Sequence, residues 1–187
     1  MSGDALFDLP EGGASWQVFI RGQTRVAEHG ATFSHDGVYR YSLTRRWDVG
    51  SSCLFVMLNP STADASRDDP TVRRCIGFAQ RWGWAGLIVV NVYGYRATHP
   101  GALWAVDDPV GPDNDAAIVS ACEYAAEMGS VVVAAWGSNA EPDRLRRVRS
   151  LTLGLDWSVL GFTRAGQPRH PLYMRGDTEP QDWPWSL

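Results

Sequence analysis

Lysine is absent from this 187-residue sequence, and all 17 of its basic residues are arginines. Enzymes that form a Schiff base use a lysine amine, so that chemistry is excluded. The 21 acidic residues give a formal net charge of −4, which argues against a chain whose whole surface attracts nucleic acid. Arginines are nevertheless concentrated in the last quarter, where they can form a local basic face: Arg144, Arg146, Arg147, Arg149, Arg164, Arg169 and Arg175.

Cysteine is scarce as well, because the sequence has only Cys53, Cys75 and Cys122. Their number and wide spacing fit neither a cysteine-bound iron–sulfur cluster nor a zinc site, so we predict no metal site. Their apolar neighbours predict buried thiols in a reducing compartment. No apolar run approaches the roughly 20 residues of a membrane span, and residues 1–4 do not resemble the start of a secretion signal. We therefore expect a cytoplasmic protein without a membrane partner.

Familiar cofactor and nucleophile motifs are missing too. Neither GxGxxG nor GxxxxGK[ST] occurs, which excludes the common dinucleotide and P-loop sites. No GxSxG nucleophile elbow is present. The sequence therefore predicts no cofactor.

The length and the 44% hydrophobic content are those of one globular domain. We assign this domain to residues 15–187, after a flexible N-terminal segment at 1–14. Polar and apolar residues alternate at 16–26 and 38–47, and the turn signal Asp36-Gly37 lies between them. This pattern predicts an N-terminal antiparallel hairpin at the edge of a sheet.

Continuous apolar runs follow the hairpin, and such runs are typical of strands buried on both faces, as in a parallel sheet. They occur at 53–58, 87–92, 131–136 and 158–161. Helices are predicted between them, because Asp69-Pro70, Pro112-Asp113 and Pro142 favour a helix N-terminus. The alternation predicts a three-layer α/β/α sandwich with a mainly parallel central sheet. Residues 163–187 show no period.

Ligands of such sheets bind beyond the carboxyl ends of the strands. The loop after the first buried strand is long and polar. Asn59 can orient a water or a ligand carbonyl there, and Asp64 can act as a general base if it reaches the same point. Asn59-Pro60 is also an ordinary turn dipeptide, and Asp69 an ordinary helix cap. A divalent cation held by Asp64, Asp68 and Asp69 is an alternative.

Two later segments carry further candidates. Tyr93 and Tyr95 can stack on a planar base, and Arg96 can pair with phosphate. The alternative is that the two tyrosines pack in the core and the arginine lies on the surface. Between two prolines, Arg169 can contact phosphate, and His170 can donate to a developing oxyanion. The alternative for this histidine is simple packing in a rigid turn.

Several motifs resemble those of the bacterial DUF1643 family, whose function is unknown. The motifs read MLNPSTAD, DPTVRR, VNVY, GPDND, AWG and PRHPLY, and the resemblance extends from about residue 39 to residue 183. Membership of this family implies a fold but no settled activity.

A second resemblance is to the uracil-DNA glycosylase superfamily, which implies an α/β/α fold of that type. Its mismatch-specific branch has an Asn-Pro turn after the first parallel strand, and that asparagine positions the attacking water. Asn59-Pro60-Ser61 occupies the matching place. A late His-Pro motif of the superfamily contacts the base and wedges an apolar residue into the duplex, and His170-Pro171-Leu172 is similar to it.

These features lead to the hypothesis of a glycosylase-like domain that binds a nucleobase, a nucleotide or a nucleic acid. As an enzyme it would hydrolyse an N-glycosidic bond, after flipping the base out of any duplex. The predicted catalytic residues are Asn59, Asp64 and His170. The predicted substrate-binding residues are Pro60, Ser61, Tyr93, Tyr95, Arg96, Arg169 and Leu172. Two alternatives stay open, namely a non-catalytic nucleotide or nucleic-acid binding module and a metal-assisted hydrolase that uses the loop at 64–69.

Overall fold

The computed structural model describes residues 29–185. Seven strands form one sheet: β1 (His29–Phe33), β2 (Arg40–Arg46), β3 (Ser52–Met57), β4 (Gly86–Asn91), β5 (Val132–Ala134), β6 (Trp157–Val159) and β7 (Gln181–Trp183). The α-helices are α1 (Pro70–Arg81), α2 (Asn114–Glu127) and α3 (Pro142–Leu151). Short 3-10 helices lie at Pro100–Ala105 and Pro171–Tyr173.

The strands lie in the order β1-β2-β4-β3-β5-β6-β7. The four strands from β4 to β6 run parallel, as their buried apolar runs predict. The three outer pairs, β1–β2, β2–β4 and β6–β7, are antiparallel. The sheet is therefore mixed, and the prediction of a mainly parallel sheet is wrong. The apolar runs revealed only the central strands, whereas β2 and β7, which flank them, run the other way.

The N-terminal hairpin is antiparallel, but it consists of β1 and β2. The predicted segment 38–47 contains β2, while segments 1–14 and 16–26 lie outside the described residues. The turn signal at Asp36-Gly37 joins β1 to β2, because Gly37 adopts a φ of 70° and its N–H donates to Ser34 O at 2.9 Å. The tail without a period contains β7, whose residues are exposed or half-buried, so no apolar run marks it.

Alternation along the central strands divides the core into two clusters. Cys53, Phe55 and Met57 of β3 pack with α1. Leu54 and Val56 of the same strand pack with α2 and α3, so helices cover both faces of the sheet. Each large apolar side chain buried in this way stabilises the fold by about 1.5–3 kcal/mol.

The three cysteines are free and buried, as predicted: Cys53, Cys75 and Cys122. Among residues 29–185, no helix has the length and apolar character that a membrane crossing requires.

Helix α1 begins where the sequence predicts. Asp69 Oδ1 accepts a hydrogen bond from the Val72 N–H at 2.8 Å, and Pro70 is the first helical residue. Gly83, with a φ of 81°, follows the end of the helix. The first turn of α1 is therefore fixed close to the carboxyl end of β3, on one face of the sheet.

Candidate functional site

The loops after β3 and β4 are joined at the carboxyl edge of the parallel strands. Asn59 Nδ2 donates to Pro60 O at 3.0 Å and to Ala97 O at 2.8 Å. The Ala97 N–H donates to Pro60 O at 2.9 Å. Asn59 and Pro60 thus hold two loops together, and the Asn59 N–H groups are occupied by backbone carbonyls.

The chain that follows β5 and β6 reaches the same edge. The Gly137 N–H donates to Pro168 O at 2.8 Å, and the Arg169 N–H donates to Gly161 O at 2.9 Å. Trp136 Nε1 also donates to Gln167 Oε1 at 3.2 Å. These bonds place the segment that contains His170 beside the ends of β5 and β6.

His170 lies near the start of α1. Burial lowers the pKa of its imidazole, and the negative charge of Asp69 acts in the opposite direction. Nδ1 of His170 accepts a hydrogen bond from the Leu172 N–H at 3.4 Å. Farther along, an Arg74 guanidinium N–H donates to Met174 O at 2.5 Å, so this segment packs along α1. The segment that contains His170 therefore packs on α1, whose first turn follows the loop that begins at Asn59.

The Asp64 carboxylate accepts hydrogen bonds from its own loop and stabilises the conformation of that loop. Its Oδ1 accepts from the Ser66 N–H at 2.8 Å, from Ser66 Oγ at 3.1 Å and from the Arg67 N–H at 2.8 Å. These bonds, led by the one from the Ser66 N–H, hold the pKa of Asp64 below its usual value. A carboxylate with a lowered pKa is a weak general base, so the position favours a structural role.

The tyrosine and arginine side chains of the loop after β4, predicted to bind a ligand, contact other groups of the protein. Tyr93 is 2% exposed, and its hydroxyl accepts from the Glu141 N–H at 3.0 Å. The ring of Tyr95 packs edge-on against Tyr39 at 6.2 Å. Arg96 donates to Gly37 O at 2.9 Å and lies over the Phe33 ring at 5.0 Å. Tyr93 and Tyr95 therefore already pack against protein groups.

The remaining predicted residues differ in their access to solvent. Pro60 is buried and Ser61 is half-buried, whereas Arg169 is exposed. Leu172 is 42% exposed, and the neighbouring Tyr173 is 71% exposed. Tyr173 was not among the predicted site residues, although its place beside the His-Pro motif was a usable signal.

Two buried arginines of β2 were missed. Arg45 is 2% exposed, and its Nε donates to Asp68 Oδ1 at 2.7 Å. Arg40 is also 2% exposed, and its Nη1 donates to Ala63 O at 2.5 Å. Burial lowers the pKa of Arg40 to about 10, and the charge of Asp69 opposes this effect. In the sequence both lie in the segment 38–47, predicted as an edge strand, and no signal marked them as buried.

A second polar cluster at the end of β4 was also missed. Asn114 Nδ2 donates to Asn91 O at 3.0 Å. Arg144 donates from Nε to Val92 O at 2.6 Å and pairs with Asp115 Oδ1 at 2.5 Å. The GPDND motif thus serves to fasten α2 and α3 to the end of β4.

The three carboxylates proposed for a cation have separate partners. Asp64 forms its own turn, Asp68 pairs with Arg45, and Asp69 caps α1. Within residues 29–185 no group of three His, Cys, Asp or Glu side chains could hold a metal ion.

A cleft of about 500 Å³ lies at the opposite, amino edge of β3 and β4. Its lining includes the indoles of Trp47 and Trp84 with Val49 and Gln80. None of the predicted site residues contributes to it.

Residues 40–172 match the family described as Protein of unknown function (DUF1643), which is more than half of the chain. The chain belongs to the DUF1643 family. No curated protein and no solved structure matches it. The matched DUF1643 span begins at Arg40 and ends at Leu172, and so includes both the buried arginines and the His-Pro segment.

Proposed function

We propose that the chain binds a nucleotide or a single-stranded nucleic acid at the carboxyl edge of its parallel strands. The contact would be made by the surface of Arg169, Leu172 and Tyr173, here called the 169–173 surface. One observation carries this proposal, namely that three exposed side chains surround the half-buried His170. The Tyr173 ring lies 5.9 Å from the imidazole.

The chemistry of this surface suits a base with an attached phosphate. An exposed tyrosine ring can stack on a base, which stabilises a complex by about 1–3 kcal/mol. The Arg169 guanidinium has no partner within residues 29–185 and can pair with a phosphate. Because Nδ1 of His170 accepts from Leu172, a neutral imidazole carries its proton on Nε2, where it can donate to a base carbonyl.

The proposal extends to the fold. Helices on both faces of the sheet, with an Asn-Pro turn after β3, support a three-layer sandwich of the uracil-DNA glycosylase type. Hydrolysis of an N-glycosidic bond has less support than binding, because the Asn59 N–H groups and the Asp64 Oδ1 are occupied within the loop. The non-catalytic binding module is therefore the version that we favour.

Calorimetric titration with a nucleoside monophosphate and with a short single-stranded oligonucleotide tests the proposal. Arg169→Gln and Tyr173→Ala should each weaken binding roughly tenfold, from the contribution of one stacking or phosphate contact. Arg164→Gln, at an exposed arginine of the preceding turn, is the matched control and should bind like the wild type. Equal affinities in all four proteins, or heat from none of them, would overturn the proposal.

A base-release assay separates binding from hydrolysis. Oligonucleotides that contain uracil or a mismatched base should yield no free base with the wild-type protein. Release that disappears in Asn59→Ala would instead establish the glycosylase.

A further inference from the structure

The two buried arginines of β2 differ in how their charges are satisfied. Arg45 pairs with Asp68, and its other nitrogens donate to Thr44 O at 2.8 Å and Asp64 O at 2.6 Å. Arg40 is equally buried, yet it forms no ion pair with any carboxylate of residues 29–185. Its Nη1 donates to Ala63 O, while its Nε is buried without a partner.

Within residues 29–185, Arg96 is a second arginine that lacks a carboxylate partner, and it lies close to Arg40. Antiparallel pairing around Tyr39 and Tyr95 brings them together, because the Arg40 N–H donates to Gly94 O at 2.9 Å and the Arg96 N–H donates to Val38 O at 3.1 Å. The positive charge of Arg96 contributes to the lowered pKa of Arg40. Arg96 Nη1 donates to Gly37 O, but its Nε is also buried and has no partner. Neither cation has a carboxylate within ion-pair distance in the described part of the chain.

A third unpartnered donor belongs to the same end of the sheet. Asn91 is 1% exposed and its Nδ2 has no partner. It pairs in register with Met57, and strand alternation places its side chain on the α1 face with Val89. Three buried donors therefore lack acceptors near the carboxyl ends of β3 and β4.

We propose that Arg40 and Arg96 form an anion subsite that takes a phosphate group of the ligand, with Asn91 as a further donor. This inference rests on the proposed function. A buried cation without a partner costs several kcal/mol, and a bound phosphate would offset that cost. Phosphate also supplies enough acceptor oxygens for two guanidiniums. Asp68 already pairs with Arg45; the charges of Asp69 and Asp64 act on Arg40, but within residues 29–185 neither carboxylate forms an ion pair with Arg40 or Arg96.

Thermal unfolding in inorganic phosphate, against chloride at equal ionic strength, tests the subsite. Phosphate at 100 times its dissociation constant should stabilise the wild type by RT ln(1 + [L]/Kd), which raises its midpoint by several degrees. Arg40→Met should keep an unliganded midpoint within about 3 °C of the wild type, since it removes an unpaired charge, and should lose the response to phosphate. Arg45→Met is the matched control, because it should unfold earlier but still respond.

The outcomes separate the subsite from the proposed function. No response of the wild type to phosphate, or an undiminished response in Arg40→Met, overturns the subsite. If Arg40→Met does not fold, two measurements replace it. Arg96→Gln should lose the response to phosphate, and the wild type should broaden the ³¹P signal of phosphate. Nucleotide binding that is intact in the wild type and equally tight in Arg40→Met would sink the subsite alone. A phosphate response without nucleotide binding would sink the proposed function alone.

Discussion

Asn59 Nδ2 donates to Ala97 O at 2.8 Å and so joins the loop after β3 to the loop after β4. The same side chain was predicted to orient a catalytic water. Its geometry gives it a measurable structural task, which is to keep the two loops at a fixed spacing.

Loss of this bridge should destabilise the fold. Asn59→Ala removes two hydrogen bonds to carbonyls, and we expect the free energy of unfolding to fall by about 1–2 kcal/mol. Urea denaturation followed by tryptophan fluorescence measures the change. Thr62→Ala, at an exposed position of the same loop, should leave stability nearly unchanged, and equal effects of the two substitutions would contradict the assigned role.

The ion pair of Arg45 and Asp68 should matter more than an exposed pair. Asp68→Ala leaves a buried guanidinium without its carboxylate, and we expect a loss of about 2 kcal/mol. Asp143→Ala breaks the exposed pair with Arg146, for which we expect at most about 1 kcal/mol. Chemical denaturation of both variants makes the comparison, and an equal or reversed ranking would show that Arg45 does not depend on Asp68.

His170 should make stability depend on pH. Burial lowers the pKa of its imidazole in the folded state, so the unfolded chain binds a proton more readily. The contribution of His170 is therefore complete above the usual histidine pKa of about 6.5 and is lost as pH falls through the folded pKa. Urea midpoints between pH 7.5 and 5 measure this loss, which His170→Gln should reduce. An unchanged pH profile in His170→Gln would refute the assignment.

The three thiols should be inert while the protein is folded. Burial raises the pKa of the Cys122 thiol to about 12 and raises the pKa values of Cys53 and Cys75 as well, so little thiolate forms at neutral pH. A colorimetric thiol reagent should titrate none of them in native protein and all three in denaturant. Rapid labelling of native protein would contradict their burial.

The sequence was informative where one physical signal dominates. Asp69-Pro70 marked the start of α1, and continuous apolar runs marked β3 and β4. The antiparallel hairpin at one edge was predictable from its turn signal, whereas the antiparallel strand at the other edge was not. The edge strand β7 has no apolar residue run at all.

The site was only partly predictable for a related reason. The polar loops were expected to converge at one edge of the sheet, and the His170 segment does pack on α1, the helix that follows the Asn59 loop. The partners of individual side chains were not foreseen, since they depend on packing. Arg40 and Arg45 are buried because a loop from another part of the chain folds over β2, and Tyr93 is covered by Trp104 at a ring distance of 5.5 Å.

The location of nucleotide binding is the central claim, and an NMR titration of ¹⁵N-labelled protein with a nucleoside monophosphate tests it most directly. We predict that the largest amide shifts fall on the 169–173 surface and on the neighbouring loop at Asp69, with little change around Trp47 and Trp84. Shifts centred on the cleft between those two tryptophans, or no shifts at millimolar ligand, would contradict the account.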